Sequence, residues 1–212
     1  MKFTKTQYLM VFAAFLLGMF ALTAWQNNTQ KFGVVNLGDV AEKSKLGVRE
    51  KQEFEALRTK YGSLIQFLNT NKAVAREDAT KIIDIWRKDA PTAAENQQLE
   101  QLKTKAQTQS EELRRLISVL NPTAEQQSRI RELSGWSQAT EDVLPQLDNL
   151  LGQAMQSRAN TKQQEVLDKA RAAVQKVGKR DGFTMVFESQ VAVYGATDLT
   201  SEALKTMDLD NP

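Results

Sequence analysis

Short strand-like segments stand at both ends of a long helical stretch, and this arrangement limits the fold more than any other feature of the chain. Phe32-Gly33-Val34-Val35-Asn36-Leu37 lies on one side of the stretch. Two further runs, Gly182-Phe183-Thr184-Met185-Val186-Phe187 and Val191-Ala192-Val193-Tyr194, flank a polar turn on the other. A strand leaves its backbone N–H and C=O groups unpaired until it finds a neighbour. The only neighbours in this sequence are the segments at the opposite end, so the chain must leave a small sheet and return to it. Asp198-Leu199-Thr200-Ser201-Glu202-Ala203-Leu204 then reads as a capped helical turn. The expected fold class is mostly α with a small β-body, from which a long antiparallel, coiled-coil-like helical hairpin arm projects. Residues 31–39 and 181–212 form the expected β-body, and residues 40–180 the arm.

The arm is rich in Ala, Gln, Glu, Lys, Leu and Arg, with little Gly. Phe54, Leu57, Tyr61, Leu64 and Leu68 follow a 3-4-3-4 spacing, an a/d seam. Leu99, Leu102, Ala106, Gln109, Leu113, Leu116 and Leu120 repeat it, with Gln109 as the one polar member. Leu144, Leu147, Leu151 and Ala154 form a third stripe, and Leu167, Ala170, Val174 and Val177 a fourth. Stripes this narrow fit long antiparallel hairpins better than a globular bundle. Pro91-Thr92-Ala93 and Pro122-Thr123-Ala124 match at an offset of 31. Both prolines read as helix starts, with Asn121 as an N-cap. Weaker breaks are expected at Asn69-Thr70-Asn71, Gly135 and Pro145. With the tip at Asn121 the outbound helical path exceeds the return by roughly 30 Å at 1.5 Å per residue, so it must kink or fold on itself, with the stretch between Asn69 and Pro91 the expected place.

The N-terminal segment sets the compartment. Tyr8 to Trp25 is uncharged and mostly apolar, with Tyr8, Phe12, Leu16, Phe20 and Trp25 as its large side chains, and Lys2 and Lys5 precede it. Residues 1–30 therefore read as an export signal, either cleaved or kept as an inner-membrane anchor with Trp25 at the interface. Either way the rest of the chain is outside the cytoplasm, in the periplasm or cell envelope. The formal charge of +2 comes from Lys2 and Lys5, which leaves the remainder balanced and gives no basic patch for nucleic acid. There is no Cys and no His, so disulfides, the usual metal ligands and the usual general base are missing. No phosphate-binding Gly-rich loop or nucleophile elbow is present. The reading is a non-enzyme with no cofactor and no metal.

The strand Phe32-Gly33-Val34-Val35-Asn36-Leu37-Gly38 resembles the opening strand of the Skp/OmpH family of periplasmic chaperones. The order Ala173–Val177, Gly182–Phe187, Val191–Tyr194 and Asp198–Leu204 is similar to that family's closing helix, strand, polar turn, second strand and short helix. The resemblance covers roughly residues 31–60 and 165–207. It implies a homotrimer whose pooled strands form a central body, with three helical tentacles around a cavity. Unfolded outer-membrane proteins are held there without ATP. Short strands bury too little alone, and oligomerisation would cover Val34, Val35, Leu37, Val186, Phe187, Val191, Val193 and Tyr194. Trp86 and Trp136, beside breaks in the arm, are read either as client-binding aromatics or as hairpin packing. The chain departs from the family pattern in its longer insert, its neutral charge and a leader that can act as an anchor. The expected function is an ATP-independent periplasmic holdase for unfolded outer-membrane or envelope proteins. The alternative is a membrane-anchored coiled-coil structural spacer of the envelope, with the N-terminal segment contacting the membrane.

Overall fold

In the computed structural model, which describes residues 30–192 and 194–212, β1 (Phe32–Val35) is the middle strand of three. It is followed by α1 (Leu37–Lys43), α2 (Lys45–Thr70), α3 (Arg76–Arg87), α4 (Ala93–Ile117) and α5 (Ala124–Arg180). The chain then forms β2 (Met185–Glu188), β3 (Thr197–Asp198) and α6 (Thr200–Asp210). The leader residues Tyr8, Phe12, Leu16, Phe20 and Trp25, and Val193 of the closing segment, lie outside the described residues.

The chain forms two compact units. One joins its two ends, up to Gly47 and from Val166 to Pro212; the other is Val48–Glu165. In the first, β1 pairs in parallel with β2 on one side and β3 on the other, with Phe32 opposite Met185 and Val34 opposite both Phe187 and Asp198. The opening and closing segments thus share one sheet, as the sequence requires. The second closing strand is not where the sequence placed it. Val191 N donates to Glu188 O at 2.8 Å, turning the chain out of β2, and the third strand is Thr197–Asp198. Two neighbours parallel to the same strand must be joined by a crossover. Between Glu188 and Thr197 the chain passes from one edge of the sheet to the other.

Leu37 is helical, not extended, because the Asn36 side chain caps α1, accepting from Asp39 N at 2.9 Å. A junction at Ser44 that the sequence did not signal separates α1 from α2. Its buried hydroxyl donates to Ala41 O (2.9 Å) and accepts from Gly47 N (3.0 Å), closing one helix and opening the next. Gly47 is required there: a Cβ would stand 1.9 Å from the Ala41 carbonyl oxygen. The core of this unit sets Val35 and Val40 against Ala41, Ala170, Ala173, Ala203 and Met207. Its small side chains let α1, α5 and α6 approach closely. The expected stripe holds here, with Ala170 and Val177 buried and Leu167 and Val174 packed at the margin.

In the second unit α2 ends at Thr70, the expected break, and α3 runs back after the link 71–75. Lys105–Asp78 (2.7 Å) and a Lys88–Glu95 contact tie α3 to α4 as an antiparallel pair, so the outbound path does fold on itself before Pro91. One core cluster joins Leu64, Leu68, Val74, Ile82, Ala106 and Leu151; a second joins Ala73, Leu116 and Leu133. These are largely the seam positions. Among the seam positions Ala154 is exposed, and Leu120 is 96% exposed because α4 stops at Ile117 and Leu120 falls in the turn to α5.

The two proline sites differ from expectation in their caps. Thr92 and Thr123, not the prolines or Asn121, begin the helices. Glu95 N donates to Thr92 Oγ1 (3.2 Å) while Thr92 N donates to Glu95 Oε2 (2.8 Å). Gln126 N and Thr123 Oγ1 (3.3 Å), with Thr123 N and Gln126 Oε1 (2.9 Å), repeat this 31 residues later. Asn96 to Pro91 O and Gln127 to Pro122 O complete the correspondence. A reciprocal cap satisfies two orphan donors at once, which a proline cannot do. Gly135 and Pro145 do not break the chain either, since α5 continues through both. Tertiary packing of Leu133, Leu144, Leu147 and Leu151 on either side overrides the local cost of about 1 kcal/mol for Gly and 3 for Pro.

Candidate interaction surfaces

The sheet has two unlike faces because strand side chains alternate. Val35 is buried in the chain's own core, and Val186 packs against it from β2. The opposite face carries Phe32, Val34, Met185 and Phe187, brought together by the Phe32–Met185 and Val34–Phe187 register. The Phe32 and Phe187 rings are 6.2 Å apart, and Met185 is 55% exposed. Among the described residues nothing covers this apolar face fully, and Phe32 and Phe187 are also exposed. Among the expected β-body residues, Val34 and Phe187 lie on this outward face, and Leu37 is half-buried at the core margin. Val191 and Tyr194, in the crossover, are 75% and 97% exposed. Phe32 and Met185 were not among the expected residues; the alternation Phe-x-Val in one strand and Met-x-Phe in the other was the available signal.

Polar contacts hold the sheet rigidly behind this face. Lys31 N donates to Thr184 Oγ1 (3.3 Å), its Nζ donates to Asp181 O (3.0 Å), and its ammonium lies 4.0 Å from the Phe183 ring centre. Leu37 N donates to the Glu188 carboxylate (3.3 Å), placing a negative charge at the start of α1. Asn36 N donates to Thr200 Oγ1 at 3.0 Å. Bonds from the Thr200 hydroxyl and backbone N–H hold the Asp198 carboxyl below its usual range. The strand ends and both flanking helices are therefore fixed to one another.

In the helical unit both tryptophans are half-buried. Trp86 packs against Phe67 with ring centres 5.7 Å apart, beneath the Lys103 ammonium at 5.4 Å. Trp136 lies beside Leu116 and Leu133, with the Arg129 guanidinium 5.7 Å from its ring. Arg129 also grips Glu112 through two bonds (3.1 and 2.8 Å). That pairing lowers the Glu112 carboxyl and, with Glu132, raises the Arg129 guanidinium. Glu112 thus pairs α4 with α5. Gln109, the polar member of its seam, is buried with Oε1 lacking any hydrogen-bond partner.

Among the described residues no group of His, Cys, Asp or Glu is placed to hold a metal ion, and no helix is long and apolar enough to cross a membrane. What the chain presents is apolar surface on a rigid sheet and on long helices. A family model described as outer membrane protein (OmpH-like) matches residues 31–207. No curated protein matches the chain.

Proposed function

Because this chain belongs to the OmpH-like family of outer membrane proteins, we propose that it is an ATP-independent periplasmic holdase for unfolded outer-membrane and other envelope proteins. The family match across both strand-bearing ends and the whole helical insert carries this reading. The uncovered sheet face supports the assembly it needs. Phe32, Val34, Met185 and Phe187 form a contiguous apolar patch, and a second and third copy of the chain would bury it. A homotrimer built on that patch, with Val191 and Tyr194 at its margin, would hold its helical arms around a shared cavity. Clients without a fixed shape suit many weak, exchangeable apolar contacts. Release then follows from the client's own folding, and no nucleotide is needed.

The test uses the protein purified from the cell envelope. A denatured β-barrel protein is diluted from urea in its presence, and turbidity is followed while light scattering gives the mass. Delayed aggregation at one trimer per client, with a scattering mass three times that of the chain, is the expected outcome. A monomer at micromolar concentration, or turbidity unchanged at excess, would refute it. The apolar run Tyr8–Trp25 favours one second reading, a membrane-anchored coiled-coil spacer. An intact N-terminus together with no effect on aggregation is the outcome that reading requires.

A further inference from the structure

Resting on the assembly proposed above, we propose that Met185 is an oxidation site, at which a peroxide converts the thioether to the sulfoxide and so keeps the sheet faces of separate copies from closing on one another. The chain has no cysteine, so methionine carries all of its sulfur. The described methionines stand in unlike surroundings. Met207 is fully buried in the core of the β-bearing unit, Met155 is half-buried on α5, and Met185 is 55% exposed. Oxidation follows access, so position 185 reacts first. Its backbone is pinned in this exposed place. Thr184 N donates to Lys31 O (2.8 Å) and Lys31 N to Thr184 Oγ1 (3.3 Å) just before β2 begins, and the register sets Met185 opposite Phe32. Strand preference favours β-branched and aromatic residues and does not account for a methionine here.

The chemistry is a two-electron oxygen transfer. The sulfur lone pair attacks one peroxide oxygen, an S–O bond forms and the O–O bond breaks. The departing hydroxide takes the proton from the transferred hydroxyl, leaving the sulfoxide and water. Sulfur is oxidised and the peroxide reduced. In the single chain the new oxygen stays hydrated. Between closed faces it would lie among Phe32, Val34 and Phe187, whose side chains offer no donor, and a buried acceptor without a donor opposes closure. A closed face in turn covers the sulfur. Assembly and oxidation therefore exclude one another, and an oxidising envelope would hold the protein as separate copies.

The purified protein is held below the concentration of half-assembly, treated with hydrogen peroxide, freed of it and concentrated again. Peptide mass spectrometry follows oxygen gained at each methionine, and light scattering gives the mass. Met185 should oxidise at least about tenfold faster than Met207, and more slowly at concentrations where the copies assemble. The oxidised protein should need at least about tenfold more chain for half-assembly, with unchanged helical circular dichroism. Met185→Leu conserves volume and leaves every other methionine in place, so it should assemble like the parent and keep its mass after peroxide. Met185→Gln should assemble poorly without any peroxide. Oxidation at Met185 no faster than at Met155, assembly unaltered by the sulfoxide, or equal loss of mass in the parent and in Met185→Leu overturns the switch while the assembly reading stands. A parent that is monomeric before peroxide is added overturns that reading, and the switch with it.

Discussion

Replacing Gly47 with alanine should unfold the β-bearing unit at a lower temperature, although the same change elsewhere in these helices should stabilise. Glycine in a helix interior ordinarily costs about 1 kcal/mol relative to alanine. Gly62, Gly135 and Gly152 are such cases: a methyl group at each meets nothing within 4 Å. At Gly47 a methyl carbon would stand 1.9 Å from the Ala41 carbonyl oxygen and 3.0 Å from its carbon, both backbone atoms that cannot swing aside. Relief requires the two helices at the Ser44 junction to part by about 1 Å, more than a close-packed interior absorbs without loss. That movement breaks the bond from Gly47 N to Ser44 Oγ, worth about 1 kcal/mol. It also disturbs Val40 and Ala41 in the core, adding about 1–3 kcal/mol of overpacking. Set against the helix-propensity gain of about 1 kcal/mol, the net expectation is a loss of about 1–3 kcal/mol for Gly47→Ala, against a gain of about 0.5–1 for Gly62→Ala. Urea denaturation of both variants, followed by far-ultraviolet circular dichroism, measures the contrast. Gly47→Ala as stable as the parent would refute the geometry assigned to this junction.

Three further outcomes are expected. Gln109→Leu removes a buried acceptor without a donor from an otherwise apolar seam, and should raise unfolding free energy by about 1–2 kcal/mol. Pro145→Ala restores the hydrogen bond to the Glu141 carbonyl in mid-helix and should stabilise by about 1–3 kcal/mol, read as a higher midpoint in thermal denaturation. Lys88, then the Thr92 backbone and hydroxyl, hold the Glu95 carboxyl at about 2, below its ordinary 4.5. Its folded value is the lower one, so its stabilising effect is complete above pH 4.5 and disappears as pH falls toward about 2. Glu95→Gln should flatten that acid limb in a stability-against-pH series, and an unchanged limb would contradict the assignment.

The parts of this fold that were legible in the sequence are those governed by periodicity. Leu57, Leu64, Leu68, Ala106, Leu116 and Leu151 are seam residues that are buried, because a 3-4 apolar spacing marks one helical face whatever covers it. The pairing of the two chain ends was legible because short strands have so few candidate partners. Features set by single hydrogen bonds were not. The Ser44 junction depends on one buried hydroxyl, and nothing in Lys43-Ser44-Lys45 distinguishes it from ordinary helix. The position of β3 depends on how far the chain must travel across the sheet after Glu188, a distance that composition does not encode. Helix continuity through Pro145 was hidden for the same reason, since neighbours distant in sequence compensate a local penalty.

Both neighbours of β1 are parallel to it, and both arrive about 150 positions later in the chain. During synthesis the first strand must therefore wait, with its ladder groups bare, until residues 185–198 have been made. Helix formation needs no such delay. A stall shortly after Arg180 would leave a folded helical segment joined to an orphan strand. The protein thus passes through its own period of exposed β-structure before the sheet closes.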